Sequence, residues 1–428
     1  MRTRYATLNR TNSPSMQQKK SRILSLPKIQ AVAAWGPGLL VMLADTDVGS
    51  IVTAAQSGIK WGYRLLPLVF LLIPVLYMIQ ELTVRLGIFT GLGFGELVRK
   101  KFGRGWAWLS LVGLTVATLG SLVTEFTGVA GVGELYGLPR SLTLPTASGV
   151  LLLIVLSGTY RRMELIALFI GLFELAFVAV AWVAHPDLGT VVRQASAIPF
   201  GDREFMFLAA ALIGSTFNPW MIFYQQSAVV DKKTVPEHLS AARWDTAIGA
   251  TLTQILTAAV LVAAAATLGS GGENVQINGI GDISAALTPM LGVKAAHLVF
   301  SIGVLGASMV AAIVSSLALA WGFGEVLGYR RSLENHPLQT PWFYVPYALC
   351  IAGSAILVGV APNLVWLNIG AQVVNAFILP VMIVALIALA TRSLPKAQRL
   401  KGGYLWLLIC VGTVVCAVGL YGGVLGLL

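Results

Sequence analysis

Gly36-Pro37-Gly38-Leu39-Leu40-Val41-Met42-Leu43-Ala44-Asp45-Thr46-Asp47-Val48-Gly49-Ser50 sets two carboxylates, Asp45 and Asp47, inside an apolar stretch. An acid placed in hydrocarbon costs about 3 kcal/mol or more, so it marks a functional site by default. Beyond Ala44 the residues change from packing side chains to Asp, Thr, Asp, Gly and Ser, which release helical backbone and offer oxygen atoms. That pattern predicts a broken transmembrane helix.

Composition fits the same setting, with 57% hydrophobic and 11% charged residues. Apolar windows long enough to cross a bilayer lie near 31–57, 65–88, 105–135, 141–159, 163–184, 205–230, 240–268, 287–326, 342–360, 364–391 and 403–427. The expectation is an all-α integral membrane protein with about 11 transmembrane helices of roughly 20 residues each. Placing the amino terminus inside gives the inner segments 23 of the 29 Lys and Arg, among them Arg2 to Lys28, Arg85 to Arg104 and Arg392 to Lys401. Basic residues gather on the cytoplasmic side, so the carboxyl terminus is expected outside a multi-pass protein of the plasma membrane. The net charge of +11 then reflects loops facing anionic lipid and calls for no nucleic acid.

Residues 1–28 are basic and free of Asp and Glu, and no cleavable apolar region follows. They are expected to form a disordered cytoplasmic tail ahead of one transmembrane domain spanning 29–428. Cys350, Cys410 and Cys416 fall inside expected spans, dispersed in a way that makes neither a disulfide framework nor a zinc motif, and are read as core filler. His185, His238, His297 and His336 lie at loops or helix ends without ligand spacing and are expected at the surface.

A second interruption stands at Gly214-Ser215-Thr216-Phe217-Asn218-Pro219-Trp220. Pro219 removes a backbone donor, and such a break is tolerated in a membrane only where protein or water satisfies the freed carbonyls. The breaks fall in the first and sixth spans. They are five helices apart, and an odd number of spans per repeat inverts the second copy, which points to a substrate site at the midplane of an inverted-repeat transporter.

Gly36-Pro37 with Asp47-Val48-Gly49-Ser50, then Gly62-Tyr63-Arg64-Leu65-Leu66, Arg85-Leu86-Gly87-Ile88-Phe89-Thr90-Gly91, and Gln372-Val373-Val374 with Leu379-Pro380, resemble the Nramp family of divalent-metal transporters. The resemblance runs from about residue 30 to 390. It implies the leucine-transporter-like fold of two inverted five-helix repeats, about 31–186 and 205–392, with an extra helix at about 403–427. The family's first-helix Asp-Pro-Gly-Asn is similar to Asp47-Val48-Gly49-Ser50, with a hydroxyl in place of an amide. Its sixth-helix Met-Pro-His is similar to Asn218-Pro219-Trp220, which keeps the break and loses thioether and imidazole. The alignment also turns the carbonyls of Ala44 and Ser215 toward the ion.

Thioethers favour softer metals, whereas carboxylate, amide, hydroxyl and water suit Mg²⁺, Ca²⁺ and Mn²⁺. Mg²⁺ uses one or two carboxylates and keeps several waters. Asp47, Asp45, Asn218 and Ser50 fit that chemistry, so the departures resemble the Nramp-related magnesium transporters. The competing readings make Asn218 a helix cap and Ser50 a partner for backbone. Asp45 is divided between touching the ion and lining the outer vestibule.

Proton coupling in the family is associated with an acidic pair in the third helix, the sixth-helix histidine and a ninth-helix arginine. Here Glu125 keeps the first acid, Gly128 stands at the second, Trp220 cannot titrate, and Thr340 to Tyr347 contains no basic residue. Gln225, Gln226 and Gln372 join Glu125 as further site candidates. Glu81, Glu164, Glu174, Asp245, Gln56, Gln254 and Asn375 are expected mainly to close hydrogen bonds between helices.

The leading reading is an alternating-access importer of Mg²⁺, with Mn²⁺ a further substrate, working without proton coupling. A proton-coupled Mn²⁺ transporter, and an amino-acid or inorganic-anion transporter on the same scaffold, stay open. No nucleophile–base pair or zinc-ligand spacing suggests an enzyme, and no cofactor is implied beyond the transported cation. The expected partners are that cation and the lipid bilayer; the oligomeric state is open, and a monomer is compatible with everything above.

Overall fold

The computed structural model describes residues 35–156, 160–267, 292–329, 340–361 and 364–427. The basic segment 1–28, His336 and the basic pair Arg330 and Arg331 lie outside them. Among the described residues, nine helices are long and apolar enough to cross a membrane, and one bent pair makes a tenth. That pair is α1 (Pro37–Leu43) and α2 (Val48–Trp61), bent by 51°. There follow α3 (Leu66–Thr90), α4 (Phe94–Phe102), α5 (Arg104–Leu135), α6 (Arg140–Leu156) and α7 (Tyr160–Gly171). A 3₁₀ turn at Leu172–Leu175 joins α7 to α8 (Ala176–Val183), and α9 (Leu188–Ala195) closes the first half.

The second half comprises α10 (Arg203–Thr216), α11 (Pro219–Asp231), α12 (Leu239–Thr267), α13 (Val293–Leu327), α14 (Pro341–Val360), α15 (Leu364–Arg392) and α16 (Gly402–Leu427). Every expected span has a helical counterpart, the fourth being α6, apolar but with only 17 residues. Two short helices, α4 and α9, occupy stretches expected to be loops. The amide of Gly95 at the start of α4 donates to Glu325 at 2.7 Å, which holds that helix against α13.

Small residues set how closely the spans approach. A β-carbon on Gly249 of α12 would lie 2.8 Å from Met42 of α1, and one on Gly58 of α2 would lie 2.3 Å from the Leu261 carbonyl. Helix association in lipid rests on such close packing, because lipid tails remove most of the hydrophobic drive. As a result α12 runs against both halves of the broken first span and fixes them relative to each other.

The amino-terminal end of α1 is pinned by charge. Lys232 Nζ donates to the Trp35 carbonyl at 2.6 Å and to the two Glu164 oxygens at 2.9 and 3.1 Å. Asp245 accepts from the amides of Gly38 at 2.7 Å and Leu39 at 3.2 Å, orphan donors of the first turn. Glu164 and Asp245 therefore act as the structural residues expected from sequence.

Candidate functional site

The break in the first span begins where helical bonding shortens: the amides of Asp45 and Thr46 donate to Met42 and Leu43 three residues back, at 3.1 and 3.0 Å. Asp47 then turns extended, with φ −76° and ψ 170°, and becomes the cap of α2. Its Oδ1 accepts from the Ser50 amide at 2.6 Å, and Ser50 Oγ donates back to the Asp47 carbonyl at 2.8 Å. In a continuous helix the Val48 amide would close on Ala44; here it points to Glu125 Oε2 at 3.4 Å. The Ala44 carbonyl thus loses its helical donor. Asp47 Oδ2 is buried and closes no hydrogen bond of ordinary geometry, with the Gln372 amide standing beside the carboxylate.

The sixth span breaks for a different reason. A continuous helix would pair the Ser215 carbonyl with the amide of residue 219, which is proline and has no N–H. Asn218 supplies the missing donor, its Nδ2 reaching the Ser215 carbonyl at 2.8 Å and Asp45 Oδ1 at 3.2 Å. Asn218 stands at the cap position of α11 yet makes no side-chain cap bond there. Its side chain instead joins the two breaks.

α15 closes the third side. Asn375 Nδ2 donates to Asn218 Oδ1 at 2.6 Å and to Gln372 Oε1 at 3.1 Å. Gln372 lies so close to Gly49 that a β-carbon there would meet its Nε2 at 1.7 Å, and that nitrogen closes no hydrogen bond of ordinary geometry. A β-carbon on Gly214 would meet the Gln372 carbonyl at 1.9 Å. These two glycines let α15 wedge against both broken spans. Ala44, Asp45, Asp47, Ser50, Ser215, Asn218, Gln372 and Asn375 are all buried, so the centre is closed to both faces in this state.

Other candidates fall elsewhere. Gln225 accepts from Thr83 at 3.2 Å and donates to Thr246 at 2.8 Å, bridging α3, α11 and α12, while Gln226 donates to the Leu92 carbonyl at 2.8 Å. Gln225 thus ties three helices together and Gln226 ties α11 to the loop ahead of α4, in place of the site roles expected for them. Glu125 abuts the centre through its contact with Val48 and also accepts from Thr124 at 3.1 Å. Glu81 is paired with Arg85 and Arg243, at 2.5 and 2.8 Å. Cys350 is buried and Cys416 packs half-buried against the core, whereas Cys410 is exposed on α16, so core filling fails for Cys410. His185 is exposed, and His238 and His297 are half-buried.

Two features escaped the sequence reading. Asn375 was one polar residue among many and proves to be the direct partner of Asn218. Glu174, in the 3₁₀ turn, is fully buried with neither carboxylate oxygen closing a hydrogen bond of ordinary geometry, and the charges of Asp45 and Asp47 act on it. Two surface clefts among the described residues, of about 690 and 570 Å³, do not meet this centre; they are lined mainly by apolar side chains of α5, α14, α15 and α16, such as Leu119, Phe377, Ile383 and Ile409.

Known proteins are similar to this chain in sequence and fold. The divalent metal cation transporter MntH of Klebsiella pneumoniae is 28% identical over 349 residues, covering 78% of this chain and 79% of that protein. The protein of the same name from Brucella suis is 28% identical over 302 residues, with this chain spanning 66% of its length. Among solved structures, the Eremococcus coleocola manganese transporter superposes with a TM-score of 0.74 at 18% identity, covering 93% of this chain and 86% of that one. Mhp1, a nucleobase-cation-symport-1 family transporter, superposes at 0.59 with 15% identity, covering 91% and 90%. The fold is thus the leucine-transporter-like one, with broken helices 1 and 6. With the description "Natural resistance-associated macrophage protein-like" matching residues 38–424, the chain belongs to the Nramp family of multi-pass membrane transporters.

Proposed function

We propose that this protein imports divalent metal cations across the plasma membrane, with Mg²⁺ as the main substrate and Mn²⁺ as a second, by alternating access around Asp47. The names of the MntH relatives and of the Eremococcus manganese transporter support the divalent class. The finer choice rests on one observation: the groups that meet at the two breaks are all oxygen or amide donors, with Asn218 holding Asp45 where a thioether would offer sulfur. Oxygen donors suit a hard cation.

Asp47 Oδ2, buried and without a hydrogen bond of ordinary geometry, is the first ligand in this reading, and the carbonyls of Ala44 and Ser215 with the oxygens of Asn218 and Asp45 complete it. Ser50 contributes mainly by capping Asp47, since its amide and hydroxyl both bond back to that residue. An Mg²⁺ ion that keeps several waters needs few direct protein ligands, which matches a centre with one or two carboxylates. The amino terminus is placed in the cytoplasm, in line with the basic residues. A Mn²⁺-selective protein is the second reading, favoured by the relatives' names.

Asp47→Ala is the test, with ion-selective flux into proteoliposomes for Mg²⁺ and Mn²⁺. Removing the buried ligand is expected to abolish both fluxes in a protein that still extracts as a monodisperse species. Wild-type flux in this variant would overturn the site.

A further inference from the structure

We infer that Glu174 is an outer-sphere ligand of the transported cation, its carboxylate holding a water of the hydrated divalent ion bound at Asp47. The inference rests on the Asp47 reading above and adds a group from the fifth span, which supplies none of the ligands considered so far.

Glu174 differs from the other buried acids of the spans by what surrounds it. Glu81 has Arg85 and Arg243, Glu164 has Lys232, Asp245 has two helix-end amides, and Glu325 has the Gly95 amide and the Ser227 hydroxyl. Glu174 is 0% exposed; its polar neighbour in the protein is the Thr46 hydroxyl, and neither carboxylate oxygen closes a hydrogen bond of ordinary geometry. A carboxyl group so placed can stay ionised only when something absent from the polypeptide meets it, and otherwise carries a proton.

The local backbone holds it toward the centre. The helix tightens to 3₁₀ at Leu172–Leu175. A β-carbon on Gly171 just before it would lie 2.9 Å from Leu43 Cδ1, at the end of α1, and one on Gly306 of α13 would lie 3.0 Å from the Ile170 carbonyl and 3.1 Å from Phe173 Cβ. The turn is therefore clamped between the broken helix and α13. From there Glu174 sits beside Thr46, whose hydroxyl shares a 2.8 Å hydrogen bond with Thr253, and within electrostatic reach of Asp45 and Asp47.

Direct ligation does not fit, because among the described residues no three His, Cys, Asp or Glu side chains stand close enough to hold one ion. Contact through a retained water does fit, since Mg²⁺ sheds its waters reluctantly. Partners of this kind commonly set metal affinity by 10- to 100-fold.

Calorimetric titration of the purified full chain with MgCl₂ and with CdCl₂ tests it in Glu174→Gln, which keeps shape and removes charge. Mg²⁺ affinity should fall about 10- to 100-fold. The softer Cd²⁺ should lose less, and the thermal midpoint without divalent ions should be unchanged or raised, because the amide keeps the shape of the side chain and no ion pair within the protein is lost. Unchanged Mg²⁺ affinity would overturn the inference. So would equal loss for both ions with a lowered ion-free midpoint, the mark of a packing role. If this variant does not fold, Glu174→Asp replaces it, with selective Mg²⁺ loss expected and wild-type affinities for both ions decisive against. Asp47→Ala measured alongside separates the two readings: lost binding there with wild-type binding in Glu174→Gln removes only the present inference, and retained binding there removes both.

Discussion

Gly128 and Val48 are packed so tightly that a β-carbon on the glycine would come 2.4 Å from one Val48 methyl carbon and 2.6 Å from the Ser308 hydroxyl. The position at which the Nramp resemblance puts a second acid of the third helix is thus occupied by neighbouring side chains. Val48, which stands where the family motif has proline, supplies part of that filling and also the amide that meets Glu125. The two departures from the family pattern are one packing solution.

Gly128→Ala should therefore destabilise the protein, by about 1–3 kcal/mol as for other overpacked interiors. Val48 is β-branched on a helix and has one strongly favoured rotamer, so it cannot swing away. Adding Val48→Ala should restore most of the loss, because it removes the methyl groups in conflict. Thermal unfolding in detergent measures both. A single Gly128→Ala variant as stable as wild type would show that the contact yields.

Asn218→Met should shift selectivity from Mg²⁺ toward Mn²⁺ and Cd²⁺, because it replaces an amide with a soft donor at the junction of the breaks. The change also removes the donors to Asp45 and the Ser215 carbonyl and one partner of Asn375. Each lost bond to a buried group costs about 1–3 kcal/mol, so a lower thermal midpoint should accompany the shift. Competition titration with Mg²⁺ and Cd²⁺ reads the selectivity. An unchanged ratio in a folded variant would reduce Asn218 to a strut between the breaks.

What could be read from sequence here is what local chemistry dictates. Asp47 is legible because a carboxylate inside an apolar run has a cost that no neighbour in sequence offsets. Pro219 is legible because the loss of its amide is a property of that residue alone. Asn375 was not, since its bond to Asn218 joins residues 157 apart in the chain. Gln225 and Gln226 follow the sixth break at plausible spacing, yet their amides point to Thr83, Thr246 and Leu92, partners that only the packing of α3, α11 and α12 brings near. Glu174 was hidden twice over. The other acids look equally bare in sequence until distant partners such as Arg243 arrive, and the 3₁₀ turn that aims Glu174 has no signature in Leu172-Phe173-Glu174-Leu175.

Trp220 is fully buried and cannot exchange a proton, Gly128 has no room for an acid, and the described residues of α14 include no Lys or Arg. A proton route through a membrane protein needs a chain of titratable groups. With most of the chain missing, uptake should be uncoupled and follow the ion's own electrochemical gradient. The membrane potential suffices: at about 2.3 kcal/mol per charge per 100 mV, a divalent cation gains about 4.6 kcal/mol on moving to an interior held near 100 mV negative. That corresponds to accumulation on the order of 10³-fold. Proteoliposomes should therefore show Mg²⁺ influx that rises with an inside-negative potential, with no acidification of the lumen. Glu125 is the one acid of the family's pathway that remains, and its carboxylate is occupied by the Val48 amide and the Thr124 hydroxyl. Glu125→Gln should accordingly leave the lumen pH trace flat and the voltage dependence in place. Luminal acidification that tracks Mg²⁺ influx in the wild type and vanishes in Glu125→Gln would reverse the conclusion and make Glu125 the carrier of a shortened proton route.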